Sequence, residues 1–160
     1  MKFGTLIAIA GIATLPMAVL AQTTTAPEYV KKAGASDMYE KQSSQLVMKS
    51  KDAKIRSFAQ MMIKDHTKST ADVKAAASKS GVRVPPPALE PKQASDVAAL
   101  RAASGAERDR LYVEQQKMAH QEALMLHQTY AQSGDKLALQ AVAGKITPVV
   151  QHHIEMLQGM

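Results

Sequence analysis

Three consecutive prolines, Pro85, Pro86 and Pro87, cut the sequence into two halves and limit what either half can become. No helix runs through them, because each lacks a donor N–H and biases the preceding residue away from helical backbone. The surrounding stretch 81–91, GVRVPPPALEP, therefore reads as a stiff extended connection. On both sides of it, apolar residues recur at spacings of three and four, the period of an amphipathic helix. The composition agrees: 46% hydrophobic residues but only 4% aromatic, with no Trp, is helical usage rather than strand usage.

Four long helices are expected. The first covers about 27–49, with Pro27 in its first turn and Tyr29, Ala33, Ser36, Glu40, Ser43 and Val47 inward. Lys51 and Asp52 mark a tight break, and Asp52 can cap the next helix. That second helix, about 53–80, carries Phe58, Met62, His66, Ser69, Val73 and Ala77 on one stripe, widened by Ile55, Ala59 and Ile63. Gly81 ends it. A short extra helix over 93–103 turns Val97 and Leu100 inward. Ser104, with Glu107 three residues on, is then expected to form a capping box for the third long helix, which ends near Gln132 before the turn residues Ser133, Gly134 and Asp135. The fourth, about 136–158, puts Leu139, Val142, Ile146, Val149, His153 and Leu157 on one face and holds Pro148, where a kink is expected. Short, long and short connections together predict an all-α protein: an antiparallel four-helix bundle with a proline-rich crossover and a short helix between the second and third long helices.

Residues 1–21, MKFGTLIAIAGIATLPMAVLA, have one early Lys, an apolar run broken by Gly11 and Pro16, and small residues at Val19 and Ala21. That is the pattern of a secretory signal peptide cleaved after Ala21. Residues 22–26 read as a flexible leader and 27–160 as the bundle domain. Export implies a periplasmic protein, with envelope association open, and the absence of Cys rules out both a lipid-anchored lipoprotein and disulfides. No mature segment has the length of apolar residues needed to span a membrane. The formal charge of +6 is scattered, with no aromatic interleaving, which argues against a nucleic-acid groove.

The candidate site comes from polar residues on faces that should be apolar. Asp109, Tyr112, Gln116, His120 and His127 step by three, four, four and seven, one stripe of a single helix. His66 and His153 lie on the core stripes of their own helices. At about 1.5 Å of rise per residue, counted from the turns near Lys51 and Gly134 as if these stood at one level, Glu40, His66 and His120 share a layer. His153 falls about one turn below it, and Asp109 and Tyr112 deeper, within reach of His153. His127, close to its turn, is expected to be half exposed and His152 outward. Imidazole nitrogens with a carboxylate suit a transition metal, Zn, Fe, Mn or Cu, with Glu40, His66, His120 and His153 as ligands. Asp65, beside His66, either pairs with Lys64 or Lys68 or orients a neighbouring histidine; Gln116, Asp109 and Tyr112 complete the surroundings. The competing reading is that these groups satisfy one another as a buried hydrogen-bond network.

Other chemistries fit less well. Di-iron carboxylate bundles need Glu-x-x-His, and no Glu here has a His three residues later. Met118 with His120, and Met125 with His127, have a copper-like spacing, but residues two apart on a helix point to different faces. There is no Cys, no nucleophile elbow and no glycine-rich phosphate loop, so no catalytic residue is assigned.

Phe58-Ala59-Gln60-Met61-Met62-Ile63-Lys64-Asp65-His66-Thr67 resembles the segment characteristic of a ferritin-like bacterial family of secreted proteins, catalogued as a domain of unknown function and often labelled as outer-membrane proteins. The likeness continues through Gly81-Val82-Arg83-Val84-Pro85, Asp109 with Tyr112, His120-Gln121, and Pro148 with His153, and Glu40 falls where that family has its first-helix Glu. Arg108 and Thr147 stand where the family usually has Phe and Leu. The resemblance implies a ferritin-like bundle whose characteristic polar positions are Glu40, His66, Asp109, Tyr112, His120 and His153, and it implies no activity. Three functions stay open: a metal-binding or stress-related bundle, an interaction module whose polar layer fixes helix register, and a metal-dependent oxidoreductase. Enzyme activity is the less favoured expectation, and neither protein partner nor oligomeric state is legible.

Overall fold

In the computed structural model, residues 24–160 are described, and they form five helices with no strand among them. The expected signal peptide lies outside the described residues. The helices are α1 (Ala26–Val47), α2 (Ala53–Lys79), α3 (Pro91–Ala102), α4 (Gly105–Ser133) and α5 (Leu137–Gln158). The four long helices form the expected bundle, and α3 is the short extra one.

Each long helix buries a stripe that alternates steps of four and three. On α1 it is Ala26, Val30, Ala33, Asp37, Glu40, Ser44 and Val47; on α5 it is Leu139, Ala143, Ile146, Val150, His153 and Leu157. Such a seam keeps one face on the partner helices along the whole length. The finer reading changes at three points. Asp37, not Ser36, is inward on α1; Val150 is buried on α5 while Val149 is 41% exposed. Ala26, read as part of a flexible leader, is fully buried in the first turn of α1.

The ends of the helices follow local chemistry. Asp52 Oδ1 accepts the amide of Lys54 at 2.7 Å, capping α2 as expected. Ser104 precedes α4 but its side chain makes no capping bond. The reciprocal capping box instead opens α3, between Glu90 and Gln93. Gly81 takes a φ of 66° directly after α2, a left-handed backbone that glycine adopts freely. Helix α5 runs on through Pro148, and Thr147 Oγ1 donates to the Ala143 carbonyl at 2.9 Å within that stretch.

The two turns stand at opposite ends of the bundle, which corrects the common level assumed for them. Ala26, Tyr29 and Ala77 pack into one apolar cluster with Tyr130, Leu139 and Ala143, beside the α4–α5 turn. Val47, Ile55 and Phe58 pack into a second cluster with Tyr112, Val113 and Leu157. So the crossover and α3 return the chain along the bundle, and α4 runs parallel to α2. Mid-height is the one level that this inversion leaves in place, so the histidine layer remains a layer.

Candidate metal centre

Between the two apolar clusters lie His66 from α2, His120 from α4 and His153 from α5, all buried. Their ring centroids are 5.9 Å (His66 to His120), 5.7 Å (His66 to His153) and 5.4 Å (His120 to His153) apart. Each offers a ligand nitrogen, and these nitrogens lie within 4.8 Å of one another. The Phe58 ring closes one side, 6.3 Å from His120 and 6.2 Å from His153.

Every one of the three rings is held through one nitrogen only. His66 Nδ1 donates to Asp37 Oδ1 at 2.8 Å, and Asp37 Oδ2 in turn accepts from Thr70 Oγ1 at 2.9 Å. His120 Nδ1 donates to the main-chain oxygen of Gln116 at 2.9 Å, one turn back on α4. His153 Nε2 donates to Asp65 Oδ2 at 3.1 Å. These bonds fix the tautomers and leave His66 Nε2, His120 Nε2 and His153 Nδ1 buried with no partner. Both oxygens of Glu40 are also buried and unpartnered; Oε1 stands 3.8 Å from His120 Nδ1. An unsatisfied buried polar atom costs about 1–3 kcal/mol, so five in one layer oppose folding unless something binds them.

The electrostatics of the layer suit a cation. Burial pushes the Glu40 carboxyl up to about 7, against the pull of His66. Burial lowers His120 to about 3, helped by the neighbouring His66 and His153, and lowers His153 to about 4, helped by His66 and opposed by Asp65. For His66 burial acts downward too, but the Asp37 bond and the charges of Asp37, Glu40 and Asp65 together raise it. Neutral imidazoles carry the lone pairs a metal needs. Nitrogens no more than 4.8 Å apart have a centre about 2.8 Å or less from each, and a metal–imidazole bond of about 2.0–2.1 Å then needs side-chain movement below about 1 Å. The three buried histidines could hold a metal ion.

The remaining polar positions sort into two groups. Gln116 lies in the core beside the layer, its Nε2 donating to Ser43 Oγ at 3.1 Å and its Oε1 unpartnered. Asp65 is a direct partner of His153, the second of its two expected roles, and its neighbour His66 uses a different carboxylate. That carboxylate, Asp37, was not singled out from the sequence, although steps of four and three from Ala33 reach it and then Glu40. Tyr112 bonds Ser44 at 2.8 Å, and its ring is 6.3 Å from Phe58. Asp109 does not extend the site toward His153: it accepts from Ser50 Oγ at 2.6 Å at the α1–α2 turn. Arg108 sends Nε to the Ala103 carbonyl at 2.8 Å and Nη1 to that of Leu46 at 3.2 Å, tying the start of α4 to the end of α1. His127 is buried, not half exposed, and its Nδ1 accepts the Tyr29 hydroxyl at 3.0 Å. His152 is exposed, as expected.

The model of the family described as Domain of unknown function (DUF4142) matches residues 13–160. The chain belongs to this family. No curated protein matches it. Among solved structures, this DUF4142 chain is similar to a DUF305 fragment from Deinococcus radiodurans, with a TM-score of 0.73 at 14% identity, covering 84% of this chain and 93% of that one. That likeness extends to the helical fold. Among the described residues of the DUF4142 domain, no helix is long and apolar enough to cross a membrane.

Proposed function

We propose that this protein is an exported, periplasmic bundle that binds one transition-metal ion in its core. His66 Nε2, His120 Nε2 and His153 Nδ1 would be the nitrogen ligands, and Glu40, whose Oε1 lies 3.8 Å from His120 Nδ1, would be the carboxylate of the layer. Asp37, Asp65 and the Gln116 carbonyl would hold the rings, the role outer partners play around metal-bound histidines. One observation carries the reading: each ring has one nitrogen bonded outward while its other nitrogen is buried and unpartnered. A purely structural network would bond these atoms to one another, because that is how buried polar groups avoid their desolvation cost. Zn, Fe, Mn and Cu all accept imidazole, and a donor set without sulfur gives no preference to Cu(I). The signal-peptide pattern of residues 1–21 supports the periplasmic placement, and a stress-related role would be played from there.

The test is elemental analysis of protein purified without a His tag, beside a His66→Ala/His120→Ala double variant. Near-stoichiometric metal in the parent and none in the variant is the expected result. Protein that arrives metal-free and also refuses added Zn, Cu, Fe and Mn at pH 7.5 would sink the proposal and leave a register-fixing polar layer.

A further inference from the structure

His127 lies on the same stripe of α4 as His120, seven residues or about 10 Å of helix rise further on, yet it takes no part in the histidine layer. Its Nδ1 accepts the hydroxyl of Tyr29 at 3.0 Å, with both residues buried. The Tyr29 ring lies flat on that of Tyr130, centroids 4.0 Å apart and planes 13° from parallel. Tyr130 donates its hydroxyl to Asp135 Oδ1 at 2.9 Å, and Asp135 is exposed at the α4–α5 turn. Phe and Leu would fill the same space without burying three polar groups. What the pair of phenols adds is that each has a proton acceptor already in place. Burial lowers His127 to about 4, so the ring is neutral at pH 7 and its Nδ1 lone pair is available to the phenol hydrogen.

We infer that Tyr29 and Tyr130 form a route for one-electron oxidation between the histidine layer and the α4–α5 end of the bundle, with His127 and Asp135 taking the phenolic protons. This rests on the metal-binding reading and adds that the ion is redox-active, with a peroxide as co-reactant. Cleaving one hydrogen peroxide to two waters takes two electrons and two protons from solvent. An iron(II) ion held by the three histidines would supply one of these electrons, and Tyr29 supplies the other. The Tyr29 O–H bond breaks, its proton passes to His127 Nδ1, and a neutral tyrosyl radical remains beside an imidazolium. Tyr130 then returns an electron to Tyr29, its own proton goes to the Asp135 carboxylate, and the imidazolium gives its proton back to the Tyr29 oxygen. The oxidising equivalent has then moved from Tyr29 to Tyr130, itself buried but bonded to the exposed Asp135, through which an external reductant can quench it.

The experiment uses the whole mature protein loaded anaerobically with Fe(II), mixed with hydrogen peroxide and freeze-quenched for electron paramagnetic resonance. Wild type should give a tyrosyl signal whose hyperfine pattern changes when ring-deuterated tyrosine is incorporated. Tyr29→Phe, which removes a single oxygen, should lose that signal while keeping its iron and its circular dichroism; Tyr130→Phe should lengthen the life of the Tyr29 radical. Iron that binds and is oxidised by peroxide without any tyrosyl signal, or a signal unchanged in both variants, would overturn the route alone. Iron that does not bind by elemental analysis would overturn the route together with the reading beneath it.

Discussion

The core of this bundle contains two polar clusters on the same helix faces, and they are finished differently. Around Tyr29, the hydroxyl, the His127 nitrogen that receives it and the Tyr130 hydroxyl all have partners. In the histidine layer, three ring nitrogens and a whole carboxylate have none. Both clusters draw on one buried stripe of α4, through His120 in the one and His127 and Tyr130 in the other, so burial alone does not explain the contrast. The difference teaches that the unsatisfied ring nitrogens are local and directed: the three histidines bring ligand nitrogens within 4.8 Å of one another, while each ring's other nitrogen is bonded.

Several substitutions would break or sharpen that contrast. The largest effect is expected from Phe58→Ala, which opens a cavity against His120, His153 and Tyr112; a loss of about 3–5 kcal/mol in urea unfolding is expected, and a smaller loss would mean the layer collapses inward to fill it. Next is metal linkage. At a free-ion concentration of about 100 Kd, unfolding should become harder by about 2.7 kcal/mol, with no gain in the His66→Ala/His120→Ala variant; equal gains would place the ion elsewhere.

His127→Leu should then cost about 1–3 kcal/mol, since it leaves the Tyr29 hydroxyl buried without an acceptor. In metal-free protein, His120→Leu should have the opposite sign or none, because it removes an atom that has no partner. Finding the same sign for both would erase the distinction between the clusters. Acid should act through His127, His120 and His153, whose folded values lie below the ordinary 6.5. Above that value both folded and unfolded chains are neutral at these rings. As pH falls from 6.5 toward 4 the unfolded chain takes up protons that the fold refuses, so stability falls, by up to about 1.4 kcal/mol per pH unit per ring. His66, shifted upward, and Glu40, raised to about 7, oppose this trend, because the fold holds protons there that the unfolded chain has lost. Their contribution is full below the unfolded values and lost as pH rises through the folded ones. Urea midpoints from pH 7 to 4 would show which wins, and a rise in stability toward pH 4 would contradict the burial of the three lowered rings. The smallest effect belongs to exposed Val149→Ser, expected within about 0.5 kcal/mol.

Much of this fold can be read before any coordinates, because Pro85, Pro86 and Pro87 and the three-four periodicity act locally. The layer of Glu40, His66 and His120 can also be read, but for a partly fortunate reason. Heights measured from two turns agree at the middle of a bundle whichever ends the turns occupy, whereas Asp109, far from its turn, is sent to the wrong end. Which end each turn occupies depends on how far the crossover and α3 carry the chain, and nothing local fixes that. Asp37 is not legible, because a face drawn through Ser36 and Glu40 competes with one through Asp37 and Glu40, and only packing chooses between them. The burial of His127 is not legible either, because closeness to a turn suggests exposure, while Tyr29 on α1 extends far enough to cover it.

The single covalent link between the two helical hairpins is the stretch from Gly81 to α3. On one side of it α1 and α2 contribute Glu40 and His66; on the other α4 and α5 contribute His120 and His153. The cluster is thus divided equally between two pieces of chain. A protease cut among the exposed prolines 85–87 would leave two fragments, each with half the donors and one open apolar face. Their reassociation would follow the law of mass action for a heterodimer, and an ion shared between them would act as the clasp.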